Sequence, residues 1–504
     1  MIAVDGRTLT YDDVVAVAHG HAQVTLSEGV SARLKRERAV VEDIVDRGIP
    51  TYGLTTGLGT RSSYALPREE LERFSVRTVR GRANAVGDPL PVPVVRAALL
   101  ARVNGIAGGG SGVRPETVRL LVDMLNARVH PVVPEVGSIG ASDLCQMAHV
   151  GLVVIGEGRA EHGGEVLDGA TALRRAGLTP VRLGPKDGIV LCGASPLAAG
   201  QGALVLHEAA AVLLLAQAVT ALTYEGFRAN TSPLDPRVLG LRPAPGQARA
   251  AGELLALLRG GDLPRNARRV QDPVSLRCSA QVHGAAYAAL DFASAALHPE
   301  LNGCGDNPVV LAGTGEILSS GNFHTPALAL GLDTLALALT QTAALSAERM
   351  RRLLDPAVSG LPANLSPYGP ERSGFAPLTK TAQALAAEIR VLSVPVSTDP
   401  RHGADAVEDD STNASLGARR LAALLDRLRL LLAVEAVVAA QAVDLAAPPA
   451  PGRGPEFLHR AIRAVVPPLD EDRPCGVDVE AVAREILSGE DVRSTLRAWV
   501  GEVS

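Results

Sequence analysis

Apolar residues recur at helical spacing through most of the chain, interrupted by a few polar, glycine-rich segments. Thr10-Tyr-Asp-Asp13 reads as an N-cap with carboxylates in the first turn, opening a helix that carries Val14, Val15 and Val17. Further helical patterns run over 69–80, 94–106 and 114–127. Between 52 and 62 the chain is rich in Gly and Thr and too short of apolar residues for a strand. Pro131, Pro134, Gly137 and Gly140 mark 130–140 as a loop, and another helix is expected from near Asp143. From Gly200 onward long helices dominate, separated by Pro/Gly-rich connectors at 242–247 and 361–374. The stretch 448–455 sets off a last helical piece. The expectation is a mainly helical chain in three parts: a smaller mixed N-terminal domain over 1–200, a long-helix bundle over 201–447, and a C-terminal helical cap over 448–504.

Composition supports helix over sheet. Of the 504 residues, 47% are hydrophobic and only 3% aromatic, with Ala, Leu and Val abundant. The formal net charge is −5 with both signs interspersed and no basic tract, which argues against a nucleic-acid partner. Asp5 interrupts the N-terminus, where no apolar h-region stands, so no signal peptide is read there. Segments 203–224, 326–346 and 421–447 are apolar enough to suggest membrane spans. Glu208, Asp333 and the pair Asp426 and Arg427 interrupt them, and they are expected to be buried bundle helices instead. Cys145, Cys192, Cys278, Cys304 and Cys475 are scattered and odd in number. That pattern predicts neither a disulfide framework nor a metal site, and points to a reducing cytoplasm.

Four polar loops stand between apolar helices: Tyr52-Gly-Leu-Thr-Thr-Gly-Leu-Gly59, Gly137-Ser-Ile-Gly-Ala-Ser-Asp-Leu144, Gln271-Asp-Pro-Val-Ser-Leu-Arg-Cys278 and Gly321-Asn-Phe-His324. In this order they resemble the histidine and phenylalanine ammonia-lyase family, part of the aromatic amino acid ammonia-lyase and aminomutase superfamily. Gly110-Ser-Gly-Val-Arg-Pro115, His130-Pro-Val-Val-Pro-Glu135, Pro185-Lys-Asp-Gly188 and Asp306-Asn-Pro308 agree, and the resemblance runs from about Val4 to Ser488. It implies an all-α, ammonia-lyase-like homotetramer acting on a small molecule, with active sites assembled from several subunits. In that family an Ala-Ser-Gly tripeptide cyclises to a methylidene-imidazolone (MIO) electrophile, a tyrosine removes the substrate's β-proton, and an arginine binds its carboxylate. By this resemblance Tyr52 matches the base, with Gly59 on the same loop. Arg277 matches the carboxylate-binding arginine, and Phe323 an aromatic wall.

Several positions depart from the family pattern. Where that pattern has Ser-Gly-Asp-Leu, Ser142 is followed directly by Asp143 and Leu144. Glycine suits ring closure because it lacks Cβ and tolerates compressed backbone, whereas Asp143 brings a Cβ and an anion. The expectation is therefore a site working with no cofactor, with Ser142 and Asp143 retained as candidate catalytic positions. Cys192 replaces an asparagine and is either a packed thiol or a nucleophile. Val274 replaces a tyrosine. Gly81-Arg82 stands where histidine lyases have Ser-His, so Arg82 either meets an anionic substrate group or turns to solvent. Glu408 is the best match to a family acid, with Asp409, Asp410 and Ser411 as neighbouring alternatives. Three functions fit: an MIO-independent elimination, isomerisation or addition on an amino-acid-like carboxylate; an ordinary MIO-dependent lyase or aminomutase; or a non-catalytic paralogue in a tetramer.

Overall fold

The computed structural model describes residues 1–398 and 408–502. The chain is mainly helical, with its longest helices at Pro196–Phe227, Ser279–Asn302, Pro326–Leu354 and Ala414–Ala446. Chain contacts define two interleaved units. One comprises Met1–His207, Ala293–Leu332 and Pro395–Arg419; the other Glu208–Phe292, Asp333–Val394 and Arg420–Ser504.

The first unit carries the short β elements. Ile2–Val4 pairs in parallel with Val24–Leu26, and Val309–Leu311 forms a hairpin with Glu316–Leu318. The predicted first helix spans Tyr11–Ala18. Thr10 and Asp13 exchange side-chain-to-backbone hydrogen bonds in a complete capping box. The patterns at 69–80, 94–106 and 114–127 fold as helices Leu71–Arg82, Val92–Gly108 and Pro115–Asn126. Val92–Gly108 is buried on every side from Val95 to Ala107. Its Arg96 is tolerated there because Nε and a terminal nitrogen donate to the carbonyls of Val17 (2.8 Å) and Leu125 (2.9 Å). The expected loop over 130–140 contains two short strands instead. His130–Pro131 pairs with Arg159–His162, and Pro134–Val136 with Val86–Pro89. Each is an edge strand, where a proline's missing N–H costs no ladder bond.

The second unit is built on buried helix faces with a few fully paired charges. Glu208, the charge interrupting the apolar stretch 203–224, is gripped by Arg429 and by Arg493 at 2.9 Å. Among the described residues two helical stretches, 187–227 and 326–354, meet the length and composition of a membrane span, but 78% and 56% of their most apolar windows are buried inside the protein. Gly246 has φ +72°, and a Cβ there would stand 2.1 Å from the Gly284 carbonyl oxygen, so only glycine lets these segments meet.

Arg349 and Glu435, both fully buried, form a bidentate pair at 2.6 and 2.9 Å, and Thr223 donates to the same carboxylate at 2.8 Å. Removing one partner leaves a buried charge uncompensated, at a cost of about 3–5 kcal/mol. Arg349→Leu is therefore expected to lower the chemical-denaturation midpoint strongly. Arg349→Leu with Glu435→Leu should recover much of that loss, and comparison of the denaturation curves checks both.

Candidate active site

The Tyr52 loop is shaped by threonines and glycines. Thr55 Oγ1 donates to the Ile49 carbonyl at 2.6 Å and accepts from the Thr51 amide at 2.8 Å, closing a tight turn after the helix Val30–Asp46. Gly53 and Gly59 take left-handed φ of +64° and +59°. Tyr52, half-buried, accepts a hydrogen bond from the Gly59 amide at 3.2 Å. The phenol oxygen is thus oriented by the loop itself.

The second loop, 137–143, is held by Asp143. This residue precedes the helix Leu144–Val154, yet its side chain does not cap that helix. The carboxylate, with no solvent exposure, accepts from Ser138 Oγ (2.7 Å) and from the amides of Leu197 (2.9 Å) and Ala198 (3.0 Å) in the first turn of Pro196–Phe227. Burial raises its pKa above the ordinary value, opposed by these three donors. Ser142 sits at φ +68°, and Gly140 and Ser142 bridge back onto each other. Gly140 cannot be replaced easily, since a Cβ would meet Thr412 Oγ1 at 2.1 Å. Ala141 bridges to His324, whose Nε2 lies 3.1 Å from Asp410 Oδ2. The neighbouring Phe323 presents its carbonyl to Ser195 Oγ at 2.7 Å.

The remaining candidates fall as follows. Arg82 ends the helix Leu71–Arg82 and lines a cleft of ≈ 850 Å³ with Gly57, Leu58, Thr60 and Arg61, beside the Tyr52 loop. Its side chain is half-exposed. Glu408 is half-buried, and its charge and that of Arg82 both act on the Cys145 thiol. Cys192 is fully buried, and burial pushes its thiol up to about 12. A thiol held protonated is a packing group rather than a nucleophile. Arg277 belongs to the second unit, at the end of the four-residue helix Val274–Arg277, and its buried Nε has no partner among the described residues. Among the described residues no group of three or more His, Cys, Asp or Glu is placed to hold a metal.

The flanking motifs build the frame. Asp187 accepts from the amides of Gly184 (2.8 Å) and Arg114 (3.0 Å), and the fully buried Lys186 donates to the Ser111 carbonyl at 2.6 Å. Asp306 pairs with buried Arg102 at 2.6 Å. Sequence reasoning missed Glu300, which lines a smaller cavity of ≈ 280 Å³ with Ala194, Ser195 and Asn322. Its only signal was a lone acid between Pro299 and Leu301, indistinguishable from a solvated one.

Residues 9–464 match the family described as aromatic amino acid lyase, and the chain belongs to that family, an enzyme family of the lyase class. Within it, the histidine ammonia-lyase of Anaeromyxobacter sp. (strain K) is 41% identical over 501 residues, covering 97% of this chain and 99% of the relative. Among solved structures, the ergothioneine-degrading enzyme ergothionase from Treponema denticola, in complex with desmethyl-ergothioneine sulfonic acid, superposes with a TM-score of 0.93 at 30% identity, covering 98% of this chain and 99% of that one. Histidine ammonia-lyase from Trypanosoma cruzi gives 0.91 at 32%, with 99% and 95% covered. The long-helix fold is that of the ammonia-lyases.

These relatives correct the expectation of a site with no cofactor, because histidine ammonia-lyases use the MIO group. Two of its three source positions are matched here by Ala141 and Ser142, in a tight turn. At the third, the Asp143 amide nitrogen donates to the Ala194 carbonyl at 2.9 Å. Closing a ring onto the Ala141 carbonyl would require that nitrogen to give up this bond.

Burial, and then the charge of Asp143, raise the Glu300 carboxyl from 4.5 to about 7. Between those values the folded chain keeps a proton that the unfolded chain has released, so stability falls as pH rises through this window and levels off above it. Thermal melts across the window should show this slope in the native protein and a flatter one in Glu300→Gln.

Proposed function

We propose that this chain is an ammonia-lyase for a histidine-like aromatic amino acid, with Tyr52 as the proton-transfer residue and Arg277 as the grip on the substrate carboxylate. The observation that carries the assignment is the Gly59 amide aimed at the Tyr52 phenol oxygen. An N–H fixed on that oxygen stabilises the phenolate, the form of the side chain able to take a proton, without reorganisation. The β-proton passes to the Tyr52 phenolate oxygen, the C–H electron pair becomes the new carbon–carbon double bond, and the C–N bond breaks with its pair on nitrogen, so that the substrate ammonium departs as ammonia. The unpartnered, buried Nε of Arg277 is suited to one arm of a bidentate carboxylate pair. Relatives 41% identical that are histidine ammonia-lyases support the substrate class, as does a structural neighbour holding desmethyl-ergothioneine sulfonic acid.

The working form is inferred to be a homotetramer with sites assembled from several copies. Leu337, Val391 and Val394, all large and exposed on the second unit, are surfaces that such an assembly would cover. The five free thiols suit a reducing, cytoplasmic setting.

Tyr52→Phe keeps the ring and removes the hydroxyl. Loss of a positioned acid–base group costs about 10²–10⁴-fold in rate. The expected outcome is a fall of that size in kcat for ammonia release with the melting temperature unchanged. An unchanged kcat on a confirmed substrate would remove Tyr52 from the chemistry.

A further inference from the structure

The ≈ 850 Å³ cleft beside the Tyr52 loop has an unusual lining. Among the described residues its lining contains three guanidinium groups, Arg61, Arg77 and Arg82, and no carboxylate. Arg77 is held by Glu70 at 2.8 Å. Arg61 and Arg82 have no ion pair and no side-chain hydrogen bond among the described residues. Glu408 is near enough for its charge to reach Cys145, as Arg82's does, but it is not within ion-pair distance of Arg82.

The position of the cleft matters as much as its charge. Leu58 and Thr60 on its wall flank Gly59, the residue whose amide orients the Tyr52 oxygen. Arg82 also acts electrostatically on Cys192 and on Cys145, which lies in the first turn of the helix that follows Asp143. The cation is therefore within electrostatic reach of the helix that follows the 137–143 loop. Leu58, Leu66 and Phe74 supply an apolar wall against which a ring can lie. Two unpaired arginines over an apolar wall form a receptor for a ring with an acidic substituent. Guanidinium forks pair with carboxylate in bidentate geometry, and such pairs strengthen where water is partly excluded.

We propose that this cleft is a second-anion subsite, so that the preferred substrate is an aromatic amino acid whose ring end carries a further carboxylate or similar oxyanion, held by Arg82 with Arg61. This deepens the lyase assignment and rests on it. The ring-end anion sits in the arginine cleft, beside the loop that carries Tyr52. A neutral ring would offer the exposed Arg61 and the half-exposed Arg82 no opposite charge.

Titration calorimetry with two probes of equal shape tests this: 4-carboxyphenylalanine and its neutral counterpart 4-carbamoylphenylalanine. The full-length protein should bind the charged probe at least about tenfold more tightly, roughly 1.4 kcal/mol. Arg82→Gln should erase most of that preference while leaving affinity for the neutral probe and the melting temperature unchanged. Arg61→Gln should reduce it less. Equal affinity of the two probes for the native protein, absence of binding by both, or a preference that survives in the Arg61→Gln, Arg82→Gln double variant would overturn the subsite. Ammonia release measured in parallel separates the two ideas. Charge-selective binding without ammonia release from any amino acid would sustain the subsite and count against the lyase chemistry. Ammonia release from neutral aromatic amino acids with no charge preference would do the opposite.

Discussion

A single buried carboxylate organises the first unit. Asp143 accepts from Ser138, Leu197 and Ala198, while its own amide donates to Ala194 and its carbonyl receives Met147. It thereby ties the loop 137–143 to the start of two helices, Leu144–Val154 and Pro196–Phe227. An unpaired buried carboxylate would be prohibitive, and three donors make it tolerable. The positive φ of Ser142 and the close approach of Gly140 to Thr412 are held in place by this anchor. The loop is thus fastened to both helices, and Ala141 and His324 are brought together across it.

The same logic extends outward. Lys186, Asp187, Arg102 and Asp306 are charged and almost wholly buried, and each has a specific partner. Lys186, Asp187 and Asp306 lie in the motifs that made the chain recognisable. Their work is framing: they hold loops against helices where backbone groups would otherwise lack partners. Gly188 is part of this frame, since a Cβ there would stand 2.2 Å from the Ser75 carbonyl oxygen. Tyr52, Arg82 and Arg277 are among the groups this frame does not consume.

Much of this was legible in the sequence because it is local. Capping at Thr10, the helical patterns after Leu71 and Val92, and the glycines of the Tyr52 loop depend on neighbours a few residues away. Arg277, Phe323 and Glu408 were recognisable by their motifs, but spacing alone could not say what surrounds them. The surroundings of Arg82 were not legible because the cleft it lines includes Gly57 and Leu58, from another segment of the chain. Arg61 and Glu300 carried no local signal. The edge strands at 130–136 were hidden by their prolines, which read as loop until a partner strand is known. The expectation of no cofactor came from one missing glycine, and relatives over nearly the whole chain outweigh it.

The central claim is that this site removes a β-proton and expels ammonia. Proton NMR of amino acids incubated with the full-length protein in deuterated water tests it most directly, using histidine, phenylalanine, tyrosine and 4-carboxyphenylalanine. The account predicts, for at least one of them, loss of the β-proton signal in step with the appearance of an olefinic product and ammonia. Unchanged spectra for all four, or ammonia release with the β-protons retained, would contradict it.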